Sequence, residues 1–257
     1  MEFVTYQVNN RIGYIALNRP EKRNALNYEL IAELKSSFIV AENDEQVKVI
    51  VLKATGEAFC AGADLGYLHQ LQHFSLEENS ADSNHLKELF QLIYTLKKVV
   101  IAQVQGHALA GGCGLAIVCD FVFAVPEAKF GYTEVRIGFV PAIVMYFLLK
   151  KIGEGKSKYL LLSGELIEAK KALDFGIINQ VVEADKLALI VEEFAQRLIE
   201  KNSSQSMEIT KKMISEIQSM PLEEALHYAA QMNANARSTN DCKRGVSAFL
   251  NKTPLAW

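Results

Sequence analysis

Apolar and polar residues alternate over residues 4–8 and again over residues 13–17, a two-residue period that predicts two short strands. Asn9-Asn10 between them suits the turn of a hairpin. The period then lengthens. Leu30, Ile31, Leu34 and Phe38 recur at three- and four-residue spacing, so a helix is expected to open at Asn24-Ala25-Leu26-Asn27. Residues 47–53 are a near-continuous β-branched run, the pattern of a strand covered on both faces. Helical spacing returns over residues 85–98, with Leu86, Leu89, Phe90 and Ile93 as the apolar stripe. A strand at 99–105, a buried helix at 115–119 and a strand at 121–125 follow. Strand, glycine-bearing loop and apolar helix therefore repeat, which predicts an α/β core built on crossover connections.

Beyond Ala142 strand patterns thin out. Residues 169–173, 185–201, 207–218 and 222–239 fit helical periods, and Pro221 stands where a helix start tolerates it. The expected division is an α/β core over residues 1–195 and a helical C-terminal region over residues 196–257, with no low-complexity tract between them.

Half of the 257 residues are hydrophobic and 22% are charged, a balance that excludes a disordered or fibrous chain. A net charge of −3 argues against nucleic acid or an anionic membrane as partner. The apolar tracts at 99–104 and 115–125 are broken by Gln103 and Asp120, short of the ~20 residues a membrane span requires. No charged leader precedes a long apolar stretch. The cysteines, Cys60, Cys113, Cys119 and Cys242, form no C-x-x-C pair and read as reduced thiols. A cytoplasmic protein is expected.

Two glycine-bearing loops follow apolar strands: Ala58-Phe59-Cys60-Ala61-Gly62-Ala63-Asp64-Leu65, and Gly106-His107-Ala108-Leu109-Ala110-Gly111-Gly112-Cys113-Gly114-Leu115. Small residues let a ligand approach the backbone, and the second loop runs into a helix whose free N–H groups suit developing negative charge. Either loop alone reads as an ordinary turn, and neither matches a phosphate-cradling motif. Together they could form an oxyanion hole. Glu134, in Gly131-Tyr132-Thr133-Glu134-Val135-Arg136, reads from the residues alone as a surface group, a partner of Arg136, or a desolvated acid–base. His107 reads as structural. His69 and His73 lie in a polar stretch, residues 68–84, expected to be a mobile loop, with His85 directly after it, and the spacing of the three matches no metal motif.

Five segments in order resemble the crotonase (enoyl-CoA hydratase/isomerase) family: Arg19-Pro20-Glu21-Lys22-Arg23-Asn24-Ala25-Leu26, the loop at 59–65, residues 106–120, residues 130–141, and the tail Gly245-Val246-Ser247-Ala248-Phe249-Leu250-Asn251-Lys252. The resemblance implies a crotonase-like spiral of ββα units with a helical C-terminal domain. It implies an acyl-CoA thioester as substrate, no cofactor beyond the coenzyme A of that substrate, no metal, and a homotrimer or homohexamer. It places the oxyanion amides at Ala63 and Gly111 and the acid–base at Glu134. The coenzyme A contacts fall on Lys22, Arg23, Ala25, Ala61, Asp64 and Leu65, with Lys252 reaching in from the tail.

One departure stands out. Hydratases of the family place a second glutamate three residues after the second oxyanion glycine, and here that position, on the substrate side of the site, is Gly114. Glu134 is the only family acid left. Alone it could activate water for addition to a 2-enoyl thioester, or carry a proton from C2 to C4 as a Δ3,Δ2-enoyl-CoA isomerase. Hydration is the leading expectation, because Gly114 with residues 134–142 resembles a branch that includes methylglutaconyl-CoA hydratases. Pro141 there leads into Ala142-Ile143-Val144 where many members carry a Gly-Gly pair. An inert CoA-ester-binding scaffold is the third reading, supported by Gly114 alone.

Overall fold

A computed structural model describes the chain from Met1 to Trp257. Strands β1 (Val4–Asn9) and β2 (Ile12–Leu17) form the expected antiparallel hairpin. Its turn residues Asn10 and Arg11 have φ of 49° and 64°, the left-handed pair that matches the twist of a tight hairpin. Helix α1 (Tyr28–Asn43) starts where the Asn27 side chain accepts from the Leu30 N–H, and buries Leu30, Ile31, Leu34, Phe38 and Ala41.

The chain then repeats one unit: a strand in a large sheet, a short strand in a small sheet, then helix. The first turn is β3 (Val49–Ala54), β4 (Ala58–Cys60), α2 (Leu65–Leu71) and α3 (Leu76–Thr95). The second is β5 (Val99–Val104), β6 (His107–Leu109) and α4 (Gly111–Ile117). The third is β7 (Phe121–Ala124), β8 (Lys129–Gly131) and α5 (Ala142–Ser163). Strand β9 (Ile167–Glu168), helix α6 (Ala169–Phe175), strand β10 (Gln180–Val181) and helix α7 (Leu187–Lys201) close the core. The strand orders β1-β2-β3-β5-β7-β10 and β4-β6-β8-β9 record this spiral, parallel throughout its centre. It is the ββα spiral expected from the sequence. Val49, Ile50, Val51 and Leu52 of β3 are fully buried, as their unbroken β-branched run requires.

Three details differ from the sequence reading. Residues 68–84 are not an open loop but the ends of α2 and α3. Asp64 caps α2 by accepting from the Tyr67 N–H, and Ser75 with Glu78 forms a reciprocal capping box at the start of α3. The polar residues 77–84 are the exposed face of that helix. Helices α5 and α10 (Asn240–Asn251) stand where no separate helix was expected, and α5 bends at Gly153, whose φ and ψ are 74° and 171°. The division at 195/196 falls inside α7, which stays seated on the sheet through Leu187, Val191, Ala195 and Ile199. Burial changes after Ser203. Helices α8 (Ser204–Ile217), α9 (Leu222–Ser238) and α10 bury only Ala225.

Removing the Ser75 hydroxyl should test the corrected segment. Ser75→Ala is expected to cost about 1 kcal/mol and to accelerate amide exchange over the first turn of α3. Unchanged exchange at residues 76–79 would mean that the box does not hold this helix.

Candidate active site

The loop after β4 is zipped to the segment before α1. Ala61 N–H donates to Arg23 O (3.0 Å), Leu26 N–H to Gly62 O (2.7 Å) and Asp64 N–H to Leu26 O (2.8 Å). This parallel bridge pairs Leu26 with Ala63, and it leaves Ala63's own N–H without an acceptor in the protein. The loop after β6 is held from the other side, where Ala110 N–H donates to Gly131 O (2.8 Å). Ala110 takes φ 50° and ψ −125°, a conformation that costs a non-glycine residue of order 1–3 kcal/mol. It turns the chain sharply into α4, so the N–H of Gly111 heads the helix with no internal acceptor.

The two loops touch. A Cβ on Gly62, whose φ is +93°, would lie 2.9 Å from Ala110 Cβ, 3.1 Å from Leu109 O and 3.8 Å from Gly111 N. Only glycine permits that approach. The two orphan N–H groups named from the sequence, Ala63 and Gly111, thus sit on adjoining backbone segments. Small-sheet pairing brings in the third group: β8 runs beside β6, and three residues beyond Gly131 comes Glu134.

Glu134 opens a 3-10 turn, Glu134–Ile137, and its backbone carbonyl accepts from Phe139 N–H (3.0 Å). Its carboxyl makes no ion pair, neither with Arg136 nor with any other cation. Oε2 is buried and has no hydrogen-bond partner. Burial raises its pKa above the ordinary glutamate value. This is neither a surface residue nor a salt bridge. Tyr132 and Cys113, both fully buried, lie near enough for the Glu134 charge to act on them. Burial pushes the Cys113 thiol up to about 12, so it is no nucleophile. The Tyr132 hydroxyl is a second buried polar atom without a partner.

The missing acid has a structural counterpart. A Cβ on Gly114 would lie 2.2 Å from Val144 Cγ1, 3.0 Å from Val144 Cβ and 2.9 Å from Phe90 Cε1. The room that a side chain at 114 would need is filled by Val144 of α5 and Phe90 of α3. Val144 is itself in the segment where many family members carry Gly-Gly. In this chain a glycine on α4 faces a branched side chain on α5, so a carboxylate side chain cannot be placed at 114 without moving Val144 or Phe90.

Among the residues expected to hold coenzyme A, Lys22 and Arg23 are exposed, and neither side chain has a hydrogen-bond or ionic partner. Ala25 is buried, and its carbonyl accepts from Arg19 Nη1 (3.2 Å). Ala61 is half-buried, and Leu65 is 82% exposed beside the loop. The Asp64 carboxylate is already engaged, accepting from Tyr67 N–H and pairing with Arg19 Nη1 at 2.8 Å. Burial alone would raise its pKa; the Tyr67 N–H and the Arg19 cation outweigh it and hold it below the usual carboxylate range. Lys252 is exposed in the left-handed residue that ends α10.

Sequence reasoning missed the internal supports. Asn24 is fully buried at φ 54°; its amide donates to Thr55 O (2.8 Å) and Ala58 O (2.9 Å) and its Oδ1 accepts from Arg19 N–H. A buried asparagine leaves no periodic trace. Only its position within the Arg19–Leu26 motif pointed to it.

Geometry and ancestry agree. Residues 7–257 match the family profile described as enoyl-CoA hydratase/isomerase. A Thermus thermophilus relative is 40% identical over 95% of this chain and 96% of its own. The crotonyl-CoA hydratase of Syntrophomonas wolfei is 31% identical over 98% of this chain and 96% of its own. The crystal structure of an enoyl-CoA hydratase from Shewanella pealeana superposes with a TM-score of 0.94 at 28% identity, covering 99% of this chain and 96% of that one. The spiral fold and the paired glycine loops define a crotonase-type enzyme. The chain belongs to the enoyl-CoA hydratase/isomerase family, whose members act on acyl-CoA thioesters.

Overpacking at Gly114 gives a direct test of this packing. Gly114→Ala should lower unfolding free energy by about 1–3 kcal/mol, and Gly114→Glu should lose more. Adding Val144→Gly should recover much of the Gly114→Glu loss. Chemical denaturation of the four proteins decides it: a Gly114→Glu chain as stable as wild type would show that Val144 does not occupy that space.

Proposed function

We propose that the enzyme hydrates a 2-enoyl-CoA to the 3-hydroxyacyl-CoA, with Glu134 as the single acid–base. The observation that carries this reading is the buried, unpaired Glu134 carboxyl with its raised pKa, next to loops that carry two unsatisfied backbone N–H groups. The thioester oxygen accepts from Ala63 and Gly111, and donors of this kind are typically worth about 3 kcal/mol each as charge develops. Glu134 as carboxylate takes a proton from water while the water oxygen bonds to C3. The C2–C3 π pair moves onto the thioester as an enolate. Protonated Glu134 then delivers the proton to C2 as the enolate collapses. Atoms and charge balance with one carboxyl and no cofactor beyond the coenzyme A of the substrate. Lys22 and Arg23 are suited to its phosphates, with Ala25, Ala61, Asp64 and Leu65 bounding the adenine and Lys252 closing from the tail.

The filled space at Gly114 favours a second reading, because a proton shuttle from C2 to C4 needs no second group to hold water. In that case the protein is a Δ3,Δ2-enoyl-CoA isomerase. The names of several relatives, including a crotonyl-CoA hydratase and a short-chain-enoyl-CoA hydratase, support hydration. A branched, methylglutaconyl-type acyl group is the first substrate to try, on the resemblance of Gly114 and residues 134–142 to that branch. Exposed Leu222, Leu226, Phe249 and Leu250 on α9 and α10 support assembly into a trimer or hexamer. The absence of disulfides among the cysteines supports a reducing, cytoplasmic setting.

Incubation with a conjugated 2-enoyl-CoA should bleach the thioester absorbance and add one water to the mass. Rising absorbance from the 3-enoyl-CoA, with no reaction of the 2-enoyl form, would replace hydration by isomerisation. Glu134→Gln should lower kcat by 10²–10⁴-fold, on the order seen for general acid–base groups. Its melting temperature should be unchanged or higher, since a buried carboxylate is removed.

The sign of the pH dependence follows from the raised pKa. The starting form is the carboxylate, so kcat/KM should fall as pH drops through a value above the ordinary glutamate pKa. An acid limb at or below the ordinary value would mean that Glu134 is not the base.

A further inference from the structure

Helix α4 presents Gly111 N–H at one end and meets a lysine at the other. Lys151, two residues before the α5 bend at Gly153, donates from Nζ to Ile117 O (2.8 Å), the last carbonyl of α4, and to Cys119 O (3.0 Å) in the turn that follows. No carboxylate neutralises this ammonium by direct contact. Burial lowers the Lys151 pKa from the ordinary lysine value, and the charge of Asp120, itself engaged by Lys211 at 2.7 Å, opposes that shift. Lys211 also donates to Lys98 O (3.0 Å), so its pairing with Asp120 is part of a separate cluster. The Lys151 charge reaches back along α4, where it draws on the Cys113 thiol two residues past Gly111.

We propose that Lys151 is a positioning residue for the oxyanion site: it clamps the C-terminal end of α4 and sets a buried positive charge behind the Gly111 N–H. This rests on the reading of Gly111 as an oxyanion donor. Seven residues at 1.5 Å each make the helix about 10 Å long, and the ammonium lies a hydrogen bond beyond its end, roughly 13 Å from that N–H. At an effective dielectric of about 20, a unit charge at that distance is worth roughly one power of ten in the rate of forming an anion. The charge acts on the enolate and hardly at all on the neutral thioester, so it should enter kcat and leave KM alone.

The test uses the full-length enzyme and two readouts. The first is kcat and KM on a conjugated 2-enoyl-CoA. The second is the absorption of bound dimethylaminocinnamoyl-CoA, a push–pull thioester whose band moves to the red as its carbonyl is polarised. Lys151→Met keeps the stem and removes the charge; it should lower kcat about tenfold with KM within twofold, and shrink the red shift. Lys151→Arg should restore most of both. Lys151→Gln serves as the neutral variant if the Met chain does not fold. Wild-type kcat and red shift in a folded neutral variant would overturn the proposal, as would equal loss in the Arg and neutral variants, which would reduce Lys151 to packing. A wild-type enzyme that neither shifts the chromophore nor turns over the enoyl thioester would instead sink the oxyanion reading itself. The two failures are therefore distinguishable.

Discussion

The contact between Gly62 and the Ala110–Gly111 turn governs how the rest of the molecule is arranged. Two backbone N–H groups can serve one oxygen only if two loops from different turns of the spiral meet without side chains between them. At Gly62 a methyl group would already overlap Ala110. Everything nearby enforces the approach. The Leu26–Ala63 bridge holds the first loop, the Ala110–Gly131 hydrogen bond holds the second, and the β4–β6–β8 pairing sets their spacing. Ala110 is kept in an uncommon backbone conformation as a consequence. The large sheet and its 54-residue apolar cluster supply the stiffness that such strain needs.

A close-packed interior also limits which chemistry can be added to that frame. At Gly114 the neighbours Val144 and Phe90 leave no room for even one carbon. Packing of this density makes volume a shared property of facing positions. The glycine on α4 and the branched side chain on α5 therefore depend on each other. Val144 and Phe90 therefore make the surroundings of Gly114 apolar, and under the proposed mechanism the polar chemistry falls to Glu134 and the two backbone amides.

Much of this was legible in the chain, for reasons that differ by residue. The β3 strand is buried on both sides and so carries an unbroken apolar run; α1 has one buried face and so carries a 3.6-residue period. Gly62, Gly111 and Glu134 could be named because backbone geometry demands small residues at fixed intervals and because the five segments keep their order. The first half of α3, ahead of the stripe at 85–98, was hidden because it faces solvent, and a helical segment without an inward stripe has the composition of a loop. Its start lay instead in Ser75 and Glu78, a three-residue capping signal. Helix α10 buries nothing within the chain, so its period had no core to answer to. Asn24, Val144 and Lys151 were beyond reach for a further reason: each acts on a backbone or side chain 30 to 34 residues away in the sequence, and spacing along the chain carries no record of such contacts.

Arg136 illustrates how a short sequence distance can mislead. Two residues from Glu134, it invited an ion pair that would have held the carboxylate ionised and lowered its pKa. The 3-10 turn separates them instead, and Arg136 lies over Gly164, where a Cβ would come within 3.1 Å of its Nε. That separation is what the proposed chemistry needs. A single carboxyl that must be charged when it meets water and neutral when it faces the enolate cannot be tied to a permanent cation. Burial supplies the opposite bias, favouring the neutral form and so the return of the proton to carbon. In the proposed reaction the backbone amides carry the negative charge in the interval, so that the loop contact and the isolated glutamate would act as one device rather than two.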